Sequence, residues 1–172
     1  MSEDFTHRVP IDRIRDGERI DLVATDAERA AVAERLGLPA LDRLEAHAVL
    51  ERDGSTVRAQ GRLRAALAQH CVASGEPVPA HVDEAFELLF APAPSTRPDE
   101  EVELGAGDLD VVFHDGSAIE LGSAIADTLG LVLDPYPRGP NADEALRAAG
   151  VLSEEQAGPF AALAKLKGDK GD

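Results

Sequence analysis

The sequence predicts an α+β fold, a mainly antiparallel β-sheet with helices packed on one face. Three observations lead there. Val57, Ala59, Gly61, Leu63, Ala65 and Leu67 fall on one side of an alternating run and Arg58, Gln60, Arg62 and Arg64 on the other, the period of a strand with one buried face. Asp53-Gly54 separates that run from another β-prone stretch, a strong signal for a tight hairpin. Two segments with apolar residues at helical spacing carry start or stop residues, so helices are interleaved with the strands.

The elements follow in order. An opening strand runs from about Arg19 to Ala24, and Thr25 with Glu28 three residues on forms a reciprocal cap for a helix reaching about Leu36. Gly37 suits the left-handed position that closes this helix, and Pro39 prevents its continuation. A strand from about Leu44 to Arg52, the Asp53-Gly54 turn and a long strand from Thr56 to about Ala73 come next. Glu76-Pro77-Val78-Pro79 is expected to turn the chain into a strand that puts Val82, Phe86, Leu88 and Phe90 on one face. Leu109 to Phe113 reads as a short strand, and Ser117 with Glu120 as a second capping signature. The helix after it carries Leu121, Ala124, Ile125, Leu129 and Val132 as an aliphatic stripe for the sheet.

Past residue 133 the chain changes character. Pro135, Pro137 and Pro140 hold residues 134–140 extended, short helices are expected from Asn141 and Ser153, and Phe160 to Lys167 is amphipathic but too short to stand alone. The expected organisation is one α+β domain over residues 1–133, with a flexible acidic loop at about 92–108. A proline-rich extension with a mobile tail follows over residues 134–172.

Charge narrows the function. There are 17 Lys and Arg against 33 Asp and Glu, a net charge of −16. A chain this acidic is repelled by bare nucleic acid and by anionic membrane surfaces, because affinity for both comes from cations. Residues 1–70 hold 11 basic and 13 acidic residues, residues 71–130 hold 1 and 13, and residues 131–172 hold 5 and 7. The acidity is therefore concentrated in the middle, where Asp99, Glu100, Glu101, Glu103, Asp108 and Asp110 crowd together. A single cysteine excludes an internal disulfide and an all-cysteine metal site, and fits a reducing compartment. With an acidic start and no long apolar run, the expected location is the cytoplasm.

The search for chemistry returns little. There is no phosphate loop and no Gly-x-Ser-x-Gly elbow. His70 beside Cys71 suggests a base and nucleophile, but neighbours on a strand point to opposite faces, so Cys71 is expected to be a buried structural thiol. Asp108, Asp110, His114, Asp115 and Glu120 have the residue types of a magnesium site, with turn and cap carboxylates as the plainer account. Arg58, Arg62 and Arg64 lie on the exposed face of one strand, where they either contact phosphate or pair with the protein's own acids. No catalytic residue, metal or cofactor is assigned.

Four stretches carry a resemblance. Gln69 to Pro79 followed by Val82 to Phe90, Ile119-Glu120-Leu121-Gly122 with Leu129 to Leu133, Asp134 to Pro140, and Pro159 to Lys167 occur in the order found in the YceD-like family. The third stretch is similar to the proline motif of its alphaproteobacterial branch. The resemblance implies a role in accumulation or processing of large-subunit ribosomal RNA and no established enzymatic activity. Many members carry Cys-x-x-Cys where this chain has Cys71 and Ser74, so a role tied to those thiols is not carried over.

Combined with the charge, the resemblance leads to a non-enzymatic assembly factor whose partner is a basic large-subunit ribosomal protein or an assembly intermediate, with ribosomal RNA associated indirectly. Its expected contacts are Glu100, Glu101, Glu103, Asp108 and Asp110 for attraction, with Tyr136 and Arg138 as anchors. The alternatives are direct RNA binding through Arg58, Arg62 and Arg64, and a magnesium-dependent nuclease at Asp108, Asp110 and Asp115. The oligomeric state stays open, a monomer being the default.

Overall fold

Two strands of 14 and 15 residues, β3 (Ala40–Asp53) and β4 (Thr56–His70), form the hairpin at the centre of the fold. The computed structural model describes residues 5–94 and 110–151. The order of elements before the hairpin is β1 (Arg8–Pro10), a 3-10 turn at Ile11–Arg13, β2 (Glu18–Val23) and α1 (Asp26–Leu36). After it come β5 (Pro77–Pro92), β6 (Asp110–His114), β7 (Ala118–Glu120), α2 (Leu121–Val132) and α3 (Ala142–Ala148). The described residues divide into two units, one within 1–69 and 79–135, the other of 70–78 with 136–151.

The first unit holds a five-stranded sheet in the order β2-β3-β4-β5-β6 and a two-stranded one of β1 with β7. Gly54, at φ 60, makes the hairpin turn, and register is continuous from Asp53↔Thr56 to Leu44↔Ala65. Alternation decides what is buried. Val57, Ala59, Leu63, Ala65 and Leu67 of β4 are buried, as are Phe86, Leu88 and Phe90 of β5, while Arg58, Arg62 and Arg64 face out. Onto this inner face pack Val32 of α1 and Leu121, Ala124, Ile125 and Leu129 of α2, completing one aliphatic core. The α+β class with a mostly antiparallel sheet is as the sequence predicts.

Local chemistry fixes the helix ends of α1. Thr25 Oγ1 accepts from the Glu28 amide at 3.3 Å, Glu28 Oε2 accepts from the Thr25 amide at 2.8 Å, and Gly37 closes the helix at φ 65. Both ends are those expected.

Several expectations are corrected. Ser117 and Glu120 do not cap α2: residues 118–120 form β7, and Glu120 precedes the helix without a side-chain cap bond. Ser117 is instead held by Asp115 and Arg8, because pairing with β1 claims the backbone that a cap would need. The prolines at 77 and 79 lie within β5, and the chain turns earlier, between Cys71 and Glu76. β6 runs parallel to β5, from Leu88↔Asp110 to Pro92↔His114. β3 starts at Ala40, directly after Pro39, and Val132 is 41% exposed at the end of the helical stripe. The predicted helix from Ser153 and the amphipathic fragment at 160–167 lie outside the described residues.

Gly122, in the second of the four motif stretches, is there for a steric reason. A Cβ there would lie 2.4 Å from the Phe5 carbonyl oxygen and 2.8 Å from the His7 amide nitrogen. Only glycine lets residues 5–7 pass this close, and the Leu121 amide donates to the His7 carbonyl at 2.9 Å beside it. Among the described residues no helix is long and apolar enough to cross a membrane.

Candidate functional site

The exposed face of β4 carries the arginine row, and β5 supplies its counterions. Arg62 bonds the Asp83 carboxylate, Arg64 Nε lies 3.5 Å from the same carboxylate, and Arg58 lies 3.4 Å from Glu87. Gln60 donates to Glu87 at 2.8 Å. The pairs Arg58–Glu87 and Arg62–Asp83 run in opposite directions along the two strands, as antiparallel neighbours require. The Arg62 bond holds the Asp83 carboxyl below the usual aspartate range. Thus each arginine expected to meet RNA faces a carboxylate of this chain. A spacing of four on both strands, 58 to 62 and 83 to 87, was the sequence signal for these partners.

Next to the row, a groove of about 490 Å³ crosses β2, β3 and β4, lined by Asp21, Val23, Glu45, His47, Arg62 and Arg64 among others. His47 Nδ1 donates to the Asp21 carboxylate at 2.6 Å, and Arg43 bonds Glu45. Cations and anions alternate across this face, giving it little net sign.

Three of the five candidate magnesium residues, His114, Asp115 and Glu120, have partners within the chain. His114 is 7% exposed. Its Nδ1 accepts from the Gly116 amide at 2.9 Å, so Nε2 carries the proton and donates to the Ser55 carbonyl at 2.7 Å. Asp115 accepts from the Ser117 hydroxyl at 2.6 Å and amide at 2.8 Å, and these bonds, with smaller help from Arg8, hold its carboxyl down at about 2. Glu120 lies 3.4 Å from Arg8. Residues 114–117 form a hydrogen-bonded turn. Among the described residues no group of three or more His, Cys, Asp or Glu is placed to hold a metal ion.

In the second unit Cys71 is the hub of the 70–78 turn. It is buried, as the alternation predicts, and the exposed His70 beside it bonds the Gly75 carbonyl instead. Cys71 Sγ accepts from the amides of Ser74 and Gly139, each at 3.4 Å. Donation by Gly139 first, then by Ser74, brings the thiol down to about 6. The Val72 amide donates to Pro137 at 2.9 Å and Asn141 Nδ2 to Glu76 at 3.2 Å, so the proline segment is pinned to the turn. On that segment Tyr136 is 76% exposed, while Arg138 bonds Asp143 at 2.5 Å. Asp110 is exposed at the start of β6, and Glu100, Glu101, Glu103 and Asp108 lie outside the described residues.

Comparison with known proteins agrees with the resemblance in the motifs. A family model described as large ribosomal RNA subunit accumulation protein YceD matches residues 59–167. No curated protein and no solved structure matches the chain.

Proposed function

Since the chain belongs to the YceD family, whose name implies a role in accumulation of the large ribosomal RNA, we propose that it is a non-enzymatic cytoplasmic factor that binds a basic large-subunit ribosomal protein during assembly. The observation that carries this reading is the disposition of charge. The chain has a net charge of −16, and its arginine row is spent on Asp83 and Glu87, so the attraction it offers is for cations. A lysine-rich ribosomal protein is a polycation whose charge such a surface complements. In this reading Glu100, Glu101, Glu103, Asp108 and Asp110 supply long-range attraction. Tyr136, exposed on a segment with restricted backbone freedom, and Arg138 beside it supply short-range contact, since a pre-ordered aromatic loses little entropy on binding.

The test is pull-down of purified basic large-subunit ribosomal proteins at low and physiological salt. Retention of at least one, weakened by salt and by charge-neutralising substitution of the five acids, is the expected result. No binding to any of them at low salt overturns the proposal. Tight capture of bare ribosomal RNA, lost when Arg58, Arg62 and Arg64 become Glu, would replace it with the RNA reading.

A further inference from the structure

Among the described residues the five-stranded sheet has two outer edges, β2 and β6, and they are built differently. Edge strands leave half of their backbone N–H and C=O groups without a strand partner, and soluble proteins guard them with charges, prolines or bulges. β2 is guarded, since Glu18, Arg19 and Asp21 lie along it. β1 and β7, the other edges, are three residues each, and β1 ends in Pro10. β6 has Val111, Val112 and Phe113 in succession, with no lysine, proline or bulge, and among the described residues its only strand partner is β5.

The side chains add to the backbone argument. Val112 packs toward the core and His114 is buried, so Val111 and Phe113 fall on the opposite, outer face. Register sets Leu89 beside Val111 and Ala91 beside Phe113 on that face. The result is an apolar patch at the sheet edge, on which Phe113 is 52% exposed.

Charge selects the occupant. Leu89 also lines a groove of about 530 Å³ whose carboxylates are Asp16, Glu51 and Asp53. Of the two arginines in it, Arg58 is paired with Glu87 and Arg52 donates to the neutral Gly54 carbonyl at 2.9 Å, so three carboxylates stand against one uncompensated guanidinium. Asp110, at the start of β6, is exposed, and residues 71–130 carry 13 acids and one arginine.

We propose that the outer edge of β6 is where the cationic partner docks, an extended lysine- or arginine-bearing segment adding as a further strand. Its backbone pairs with residues 110–114. Its apolar side chains cover Val111 and Phe113, and its cations meet Asp110 and the neighbouring groove. This rests on the reading of the partner as a basic protein and specifies how that partner is held.

The experiment uses the full chain and two fluorescein-labelled probes, a short peptide of alternating lysine and valine and its counterpart with alternate valines replaced by proline. Both have the same charge, but only the first can pair as a strand. The expected result is affinity roughly tenfold higher for the first peptide, with slowed hydrogen exchange at the amides of Val111–Phe113. Val111→Lys, placing a guarding cation on the outer face, should remove the preference while leaving the melting temperature nearly unchanged. Phe113→Glu, at a position more exposed than the half-buried Val111, has the same expected loss of preference. Equal binding of the two peptides overturns strand addition and leaves the basic-partner reading standing. Binding of neither at low salt overturns both. Protection of Val111–Phe113 that rises with protein concentration alone would assign the edge to a second copy and overturn the proposal.

Discussion

Replacing Gly122 by alanine sets two physical terms against each other, and the structure says which one wins. On helix propensity alone Gly→Ala within α2 should stabilise by up to ~1 kcal/mol. The added Cβ, however, would sit 2.4 Å from the Phe5 carbonyl oxygen, 2.8 Å from the His7 nitrogen and 3.0 Å from the Phe5 carbonyl carbon. All three atoms are backbone, so no rotamer change relieves the overlap; residues 5–7 must retreat from the helix. Retreat loosens the Leu121–His7 bond and the β1–β7 pairing, and withdraws Phe5, which is 3% exposed, from the core. Burying a side chain of that size stabilises by roughly 2–3 kcal/mol. Set against the propensity gain, the net cost is about 1–2 kcal/mol, a fall in melting temperature on the order of 2–8 °C for a chain of this size. Urea unfolding of Gly122→Ala, Phe5→Ala and the double variant supplies the measurement. If the alanine acts by unseating Phe5, the double variant is clearly less destabilised than the sum of the singles. Gly130→Ala serves as control, because its Cβ would meet only the flexible tip of Leu36 at 3.0 Å. A Gly122→Ala protein as stable as the parent, or more so, refutes the reasoning.

Gly61→Ala places a Cβ 1.8 Å from the His47 carbonyl oxygen in the middle of the β3–β4 pair, so it should unfold the protein or leave it insoluble, as circular dichroism of the soluble fraction will show. Thr25→Ala removes the reciprocal cap of α1 and should cost about 1 kcal/mol in chemical denaturation. Cys71 has a thiol pKa near 6 against 9.0 for the ordinary group, so its folded-state pKa is depressed. The stability it contributes is fully present above pH 9 and lost as pH falls through 6. Unfolding free energy should therefore rise with pH across that window, and Cys71→Ser should flatten the rise. Asp115, held at about 2, contributes stability that is present above the ordinary value of 3.8 and lost as pH falls toward 2. Asp115→Asn should reduce the acid sensitivity of unfolding between those values.

The site was less legible than the scaffold. The outward parity of Arg58, Arg62 and Arg64 follows from alternation, but their pairing with Asp83 and Glu87 depends on the register between β4 and β5. That register is set by a turn of six residues, Cys71 to Glu76, whose shape depends on two amides donating to one sulfur. A spacing of four on both strands hinted at the match without fixing which residue met which. The border position of β6 among the described residues was invisible for a related reason: a short apolar strand reads the same whether it lies inside a sheet or at its border.

By itself the sequence determined what depends on neighbours a few residues apart: the two ends of α1, the hairpin at Gly54, the inward parity of β4 and β5, the burial of Cys71 and the excess of negative charge. Such features are settled by local hydrogen bonds, backbone freedom and side-chain period, and these are written in consecutive residues. Tertiary structure decided that Ser117 would anchor a turn and not a helix, since β1, more than a hundred residues earlier, claims the strand that follows it. It also decided that β6 would run parallel at the border of the sheet, and that Gly122 would make room for Phe5. Contacts across such separations carry no periodicity, and a chain reveals them only once its core has brought the distant segments together.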